Sequence, residues 1–151
     1  MVEIRRYEES RDGGVLEFLP DRTRVHIGSV LMSTLLDRDR FLKLFLPDGL
    51  WLAVSDDATV GAILVGPYDD EIVRCVAVYG IKVDEPCRRQ GIGSMLMQKA
   101  DDFAQSAGLD RLFLETKPDN VPALALFRKC GYKIFESKPN NVRLEKYRSQ
   151  Q

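Results

Sequence analysis

The sequence predicts an α/β fold of the α+β kind: one domain around a mixed, mostly antiparallel central sheet, with helices on both faces and a bulge in a central strand. Three observations carry this. From Leu50 onward, LWLAVS, TVGAILVGPY and VRCVAVYGIKV follow one another across the SDDA turn and the acidic Asp69-Asp70-Glu71 loop, as an antiparallel meander would. Gly91 to Ala107 then carries Ile92, Met95, Leu96, Ala100, Phe103, Ala104 and Ala107 at three- and four-residue steps, which is a helix. The RLFLET strand after it closes a strand–helix–strand unit, and such a unit joins parallel neighbours.

The remaining elements are read in chain order. VEIRRY, Val2 to Tyr7, fits an edge strand, and Val30, Leu31, Leu35, Phe41, Leu42 and Phe45 give an imperfect helical face between Arg22 and Phe45, ended by Pro47, Asp48 and Gly49. Gly80 interrupts the third meander strand, where a glycine marks a bulge or a close backbone approach. Gly108 suits the C-terminal cap of the long helix. A second helix enters at DNVP with Pro122 in its first turn, points Ala123, Leu124, Leu126, Phe127 and Cys130 inward, and closes at Gly131. YKIFES and VRLEKY, separated by KPNN, complete the sheet.

Composition narrows the function classes. With 151 residues the chain fits one domain. Its 22 basic and 23 acidic side chains give a net charge of -1, which argues against a nucleic-acid coat or a polybasic membrane binder. Cys75, Cys87 and Cys130 are odd in number and widely spaced, and His26 is the lone histidine, so free thiols are expected and no metal site is. MVEIRRYEES alternates charged and apolar residues, and no apolar run approaches the ~20 residues of a membrane span. A cytoplasmic enzyme or binding protein is expected, with no nucleic acid or membrane as partner.

The stretch CRRQGIGSML sets Arg88 and Arg89 just before a helix start, where unpaired N–H groups already concentrate positive partial charge. An anion held there would use arginine and helix dipole together, and Gly91 and Gly93 would let it touch the main chain. Phosphate is the natural candidate. The third glycine of a dinucleotide fingerprint is missing, and no glycine-lysine-serine/threonine run marks a nucleotide-triphosphate loop. The alternative is a tight turn with both arginines in solvent.

At these residues the chain resembles the GNAT family of N-acetyltransferases, which use acetyl-coenzyme A. The first motif reads as Arg88-Arg89-Gln90-Gly91-Ile92-Gly93, and the second, N-x-x-A-x-x-L-[YF]-x-x-x-G-[FY], as Asn120, Ala123, Leu126, Phe127, Gly131 and Tyr132. The likeness is good from Leu50 to Tyr132 and holds in outline at the ends. It implies a coenzyme-binding core over 50–132, an acceptor-side N-terminal part over 1–49 and terminal strands over 133–151. It further implies a pyrophosphate on the backbone amides of Arg88, Arg89, Gln90, Gly91, Ile92, Gly93 and Ser94. A pantetheine arm would lie between splayed strands along Gly80, Ile81, Lys82 and Val83, with coenzyme contacts from Asn120 and Phe127. Asn120 also suits a helix N-cap, and both roles can hold together.

Direct transfer to a primary amine needs a base, because an amine with pKa ~10.4 is mostly protonated at neutral pH. Glu115 and Tyr79 are the candidate bases. Glu115 reads equally as a structural carboxylate, and Tyr79 as a water relay or a pocket wall. The Ile81 backbone N–H is the candidate oxyanion donor. Relatives often carry a tyrosine at the position of Phe127, which has no proton to give. Tyr132 reads as core, Cys130 as buried filler and His26 as solvent-facing or packed. The expected function is acetyl transfer to a small-molecule or protein amine; the alternative is a catalytically silent acyl-coenzyme A sensor. The terminal strands offer an edge for a homodimer.

Overall fold

A computed structural model of the chain describes residues 1–8, 48–69 and 74–148. Seven strands form one sheet: β1 (Val2–Arg6), β2 (Leu50–Ser55), β3 (Ala58–Asp69), β4 (Arg74–Val83), β5 (Arg111–Thr116), β6 (Lys133–Lys138) and β7 (Asn141–Tyr147). Their spatial order is β1-β2-β3-β4-β5-β7-β6. Every neighbouring pair is antiparallel except β4 with β5. The meander is as the sequence predicts, and the two-residue turn between β2 and β3 places Asp56 and Asp57 at φ 51° and 63°, the left-handed geometry that matches strand twist.

Two helices lie among the described residues, α1 (Ile92–Ala107) and α2 (Val121–Lys129). Gly108 ends α1 at φ 70°, and the Asn120 side chain caps α2 by accepting the Ala123 N–H at 3.3 Å. A single cluster joins Ile92, Leu96, Ala100 and Ala104 of α1, Phe127 of α2, and Ile63, Val76, Val78, Leu112, Leu114 and Leu144 of the sheet. Both described helices therefore cover the same face. The cross-strand pairs Leu50↔Leu64 and Leu52↔Ala62 put four fully buried residues on the opposite face. The helix expected between Arg22 and Phe45 lies outside the described residues, as do His26, Asp70 and Glu71.

The bulge falls where Gly80 predicts it. Leu64 faces Gly80 and Val65 faces Val78, so Tyr79 is the extra residue on β4. Its effect is a change of parity. Val76 and Val78 pack into the helix-side core before it, and Ile81 and Val83 after it. Tyr79 turns to the other face, against Cys75, Ala77 and Phe113.

On that other face Glu145 is buried between two guanidinium groups. Arg111 donates to it from Nε at 2.7 Å, and Arg143 Nη2 stands 3.5 Å from its Oε1 while stacking over the Phe113 ring at 3.9 Å. The Glu145 hydrogen bond and charge raise the Arg111 pKa, although partial desolvation, the largest single effect, opposes it. This cluster ties β5 to β7 below the site.

Candidate functional site: a cleft between splayed parallel strands

β4 and β5 pair at only two positions, Val76↔Leu112 and Ala77↔Phe113, although β4 continues to Val83 and β5 to Thr116. Beyond Ala77 and Phe113 the strands diverge around a cleft of about 290 Å³. One wall is Val78, Tyr79, Gly80 and Ile81; the other is Leu114, Glu115, Thr116 and Lys117, with Asn120, Ala123 and Phe127 contributed from the α2 side.

Hydrogen-bond alternation fixes the direction of the β4 main chain. Asp84 N–H donates to Val60 O at 2.8 Å. Antiparallel pairs alternate between those that exchange hydrogen bonds and those that do not, so Lys82 faces β3 while the N–H and C=O groups of Ile81 and Val83 point to the cleft edge. Val83 O accepts from Arg88 Nε at 3.0 Å, as that direction requires.

The glycine loop follows β4 through a short 3-10 turn, Glu85–Cys87. Arg89 sits at φ 67° and Gly91 at φ 79°, and Gly91 caps α1 with no side-chain hydrogen bond. The first turn of α1 holds no acidic residue. Among the described residues the start of α1 therefore has no capping side-chain hydrogen bond and no acid in its first turn, which suits a bound anion. A Cβ on Gly93 would stand 2.9 Å from Leu126 Cδ2, so this glycine lets the loop and α2 approach. Ser94 faces the same helix, where its side chain hydrogen-bonds Cys130. Gln90, Arg88 and Arg89 are exposed.

The two faces of the cleft differ. Leu112, Leu114 and Thr116 alternate onto the helix side, with Phe127; Phe113 and Glu115 alternate onto the other side, with Tyr79. Glu115 is exposed and its Oε2 accepts from Asn141 Nδ2 at 3.1 Å. The Tyr79 hydroxyl donates to Pro67 O at 3.0 Å. Both candidate bases and Ile81 therefore line one cleft, while Arg88 to Ser94 lie outside its lining, between the end of β4 and the first turn of α1.

Phe127 is 4% exposed and packs against Tyr132 with ring centroids 6.4 Å apart. Tyr132 is 3% exposed, and desolvation, with smaller contributions from Asp101 and Cys130, raises its pKa far above the ordinary tyrosine value. Its core placement agrees with the sequence reading. Cys130 is half-buried; desolvation raises its thiol pKa, against the lowering effect of the Ser94 hydrogen bond and nearby Lys146, so it stays protonated filler. All three cysteines are free, and among the described residues no three His, Cys, Asp or Glu side chains converge as a metal site would require.

The sequence reading passed over Thr116. Its signal was present: every second position of β5 from Leu112 runs Leu112, Leu114, Thr116, an apolar series ending in a hydroxyl.

Known proteins agree with this geometry. The family model described as "Acetyltransferase (GNAT) family" matches residues 18–132. The chain is 32% identical over 85 residues to N-acetyltransferase 8 of Homo sapiens, covering 55% of this chain and 37% of that protein. It spans about two fifths of the first curated relatives it matches. Among solved structures, PaiA N-acetyltransferase from Thermoplasma acidophilum in complex with coenzyme A superposes with a TM-score of 0.73 at 14% identity, over 98% of this chain and 99% of that one. A chain of the NatC complex bound to Gag peptide and CoA gives 0.69 at 16% identity, over 98% and 99%. These structures share the fold. The family match, running through β2 to α2 and both motifs, shows that the chain belongs to the GNAT acetyltransferase family.

Proposed function

We propose that the chain is an acetyl-coenzyme A dependent N-acetyltransferase that moves an acetyl group directly to a primary amine. The observation that carries this reading is the splay of β4 from β5 beyond a bulge at Tyr79, which leaves the Ile81 main chain facing an open cleft. Residues 50–132 would bind the coenzyme, 1–49 would supply the acceptor side and 133–151 the terminal strands.

The residues present fit the co-substrate. The start of α1, with no side-chain cap and with Arg88 and Arg89 before it, suits a diphosphate, and the β4 edge at Ile81, beyond the last pairing with β5, suits an amide-bearing arm. Asn120 keeps an amide N–H available after its Oδ1 caps α2. Acetyl-coenzyme A supplies an activated thioester. Ile81 N–H would hold the carbonyl oxygen as negative charge develops there. Glu115 would take the amine proton, directly or through a water, held in place by Asn141. Tyr79 would wall the acceptor side, its hydroxyl committed to Pro67 O. Three free thiols support a reducing, cytoplasmic setting.

Small amines and protein amines both remain in the acceptor class; the NatC likeness supports a peptide end, and the exposed Glu115 accepts either. The exposed β6 edge, with Phe135 62% exposed, supports a homodimer. A second reading, a silent acyl-coenzyme A sensor, is favoured by Phe127, which offers no proton to the cleft. Thiol release across an amine panel, paired with calorimetric titration of acetyl-coenzyme A, separates them. Binding with turnover for at least one amine class supports the enzyme, binding without any turnover supports the sensor, and no binding at millimolar ligand overturns both.

A further inference from the structure

With Phe127 in the cleft, the helix-side wall lacks the phenol that related enzymes often place there. Thr116 stands on that same wall. It is 6% exposed and lines the cleft, and its hydroxyl has no hydrogen-bond partner among the described residues. That hydroxyl is not among the fully buried unpartnered atoms, so it opens to the cleft, where something bound can use it.

Strand register says what that something is. Counting forward from Ala77↔Phe113, and setting aside Tyr79 as the extra bulge residue, Val78 comes level with Leu114, Gly80 with Glu115 and Ile81 with Thr116. Thr116 thus faces Ile81 across the cleft. A thioester carbon carries oxygen and sulfur on adjacent bonds, so an oxygen held at Ile81 N–H leaves the sulfur toward the Thr116 side.

We propose that Thr116 is a catalytic residue whose hydroxyl donates a hydrogen bond to the coenzyme sulfur as the thiolate departs. This rests on the acetyl-transfer reading above. In the step, the acceptor nitrogen forms the new C–N bond, the C–S bond breaks, and its electron pair leaves on sulfur. The nitrogen's proton goes to Glu115 or to water, and the thiolate later takes a proton from water. An alcohol is far less acidic than a thiol of pKa ~8.5, so Thr116 keeps its own proton throughout. The hydroxyl therefore replaces by hydrogen bonding what a tyrosine would supply by proton transfer.

The test compares coenzyme A with desulfo-coenzyme A by calorimetry at a pH where the thiol is largely ionised, on wild type, Thr116→Val and Thr116→Ser. Valine keeps the branched shape, and serine keeps the hydroxyl. Wild type and Thr116→Ser are expected to prefer coenzyme A by about tenfold, the size of one hydrogen bond to a charged acceptor. Thr116→Val is expected to bring that preference within about twofold while its affinity for desulfo-coenzyme A stays at the wild-type value. Equal weakening toward both ligands, or no change in the preference, overturns the proposal. Failure of all three proteins to bind either ligand overturns the coenzyme site itself, and the inference with it.

Discussion

Arg89→Gly separates the conformational role of the glycine loop from its electrostatic one. Arg89 is exposed and holds φ 67°, where a residue with a Cβ is strained by about 1 kcal/mol or more. Glycine relieves that strain, and its greater unfolded-state freedom takes back about 0.5–1 kcal/mol. Stability should therefore change by no more than about 0.5 kcal/mol, which for a chain of this size moves Tm by about 2 °C at most. Binding behaves differently. A guanidinium meeting a diphosphate from an exposed position contributes about 1 kcal/mol, the upper end of exposed ion pairs, so affinity for coenzyme A should fall about fivefold at low salt. The deficit should shrink as salt rises, because the lost contact is screened. Calorimetry at two ionic strengths and a thermal melt read both quantities. An unchanged affinity at every salt concentration refutes the reasoning: the left-handed arginine would then serve only the turn, and the anion would be held by backbone alone.

Glu115→Gln should keep coenzyme binding and lower kcat by about 10²-fold or more, measured as thiol release at saturating acetyl-coenzyme A. Tyr132→Phe removes a buried hydroxyl that has no partner among the described residues and should raise stability by about 1 kcal/mol, seen as a Tm gain of about 2–4 °C. Because burial raises the Tyr132 pKa, only the unfolded chain ionises this group once pH passes ~10; wild-type stability then declines with rising pH, and the phenylalanine variant should lose that part of the decline. Gly93→Val would drive side-chain carbons into Leu126, already 2.9 Å from an ideal Cβ, and should cost about 2 kcal/mol, a Tm drop of about 4–8 °C in the same melt.

What could be read from the sequence was local. Turn residues and apolar period placed β2 to β5 and both described helices within a residue or two, because SDDA, Gly91, Gly108, Asn120 and Gly131 act on the chain beside them. Gly80 marked the bulge for the same reason, although the extra residue proved to be its neighbour Tyr79. Features set by distant pairing were hidden. The insertion of β7 between β5 and β6, with partners as far apart as Arg111 and Tyr147, and the pairing of Glu145 with Arg111 join distant segments, and no local period encodes them. Thr116 was overlooked because its meaning comes from the register with Ile81 across a cleft, not from its own strand.

The cleft also explains why the two motifs lie so far apart in sequence. Arg88 to Ser94 follow the end of β4 and open α1, and Asn120 to Phe127 run from the turn after β5 into α2; Asn120, Ala123 and Phe127 line the cleft, and the glycine loop approaches α2 at Gly93. A Cβ on Gly93 would stand 2.9 Å from Leu126 Cδ2, so the glycine is what lets them lie this close.

The most direct test of the account is a backbone-amide NMR titration with acetyl-coenzyme A. The account predicts saturable, one-to-one shifts at Ile81 and across Arg88 to Ser94, with smaller ones at Thr116 and Asn120, while the far edge strand β6 stays still. Amides of Ile81 and the glycine loop that remain unmoved at millimolar acetyl-coenzyme A would contradict it.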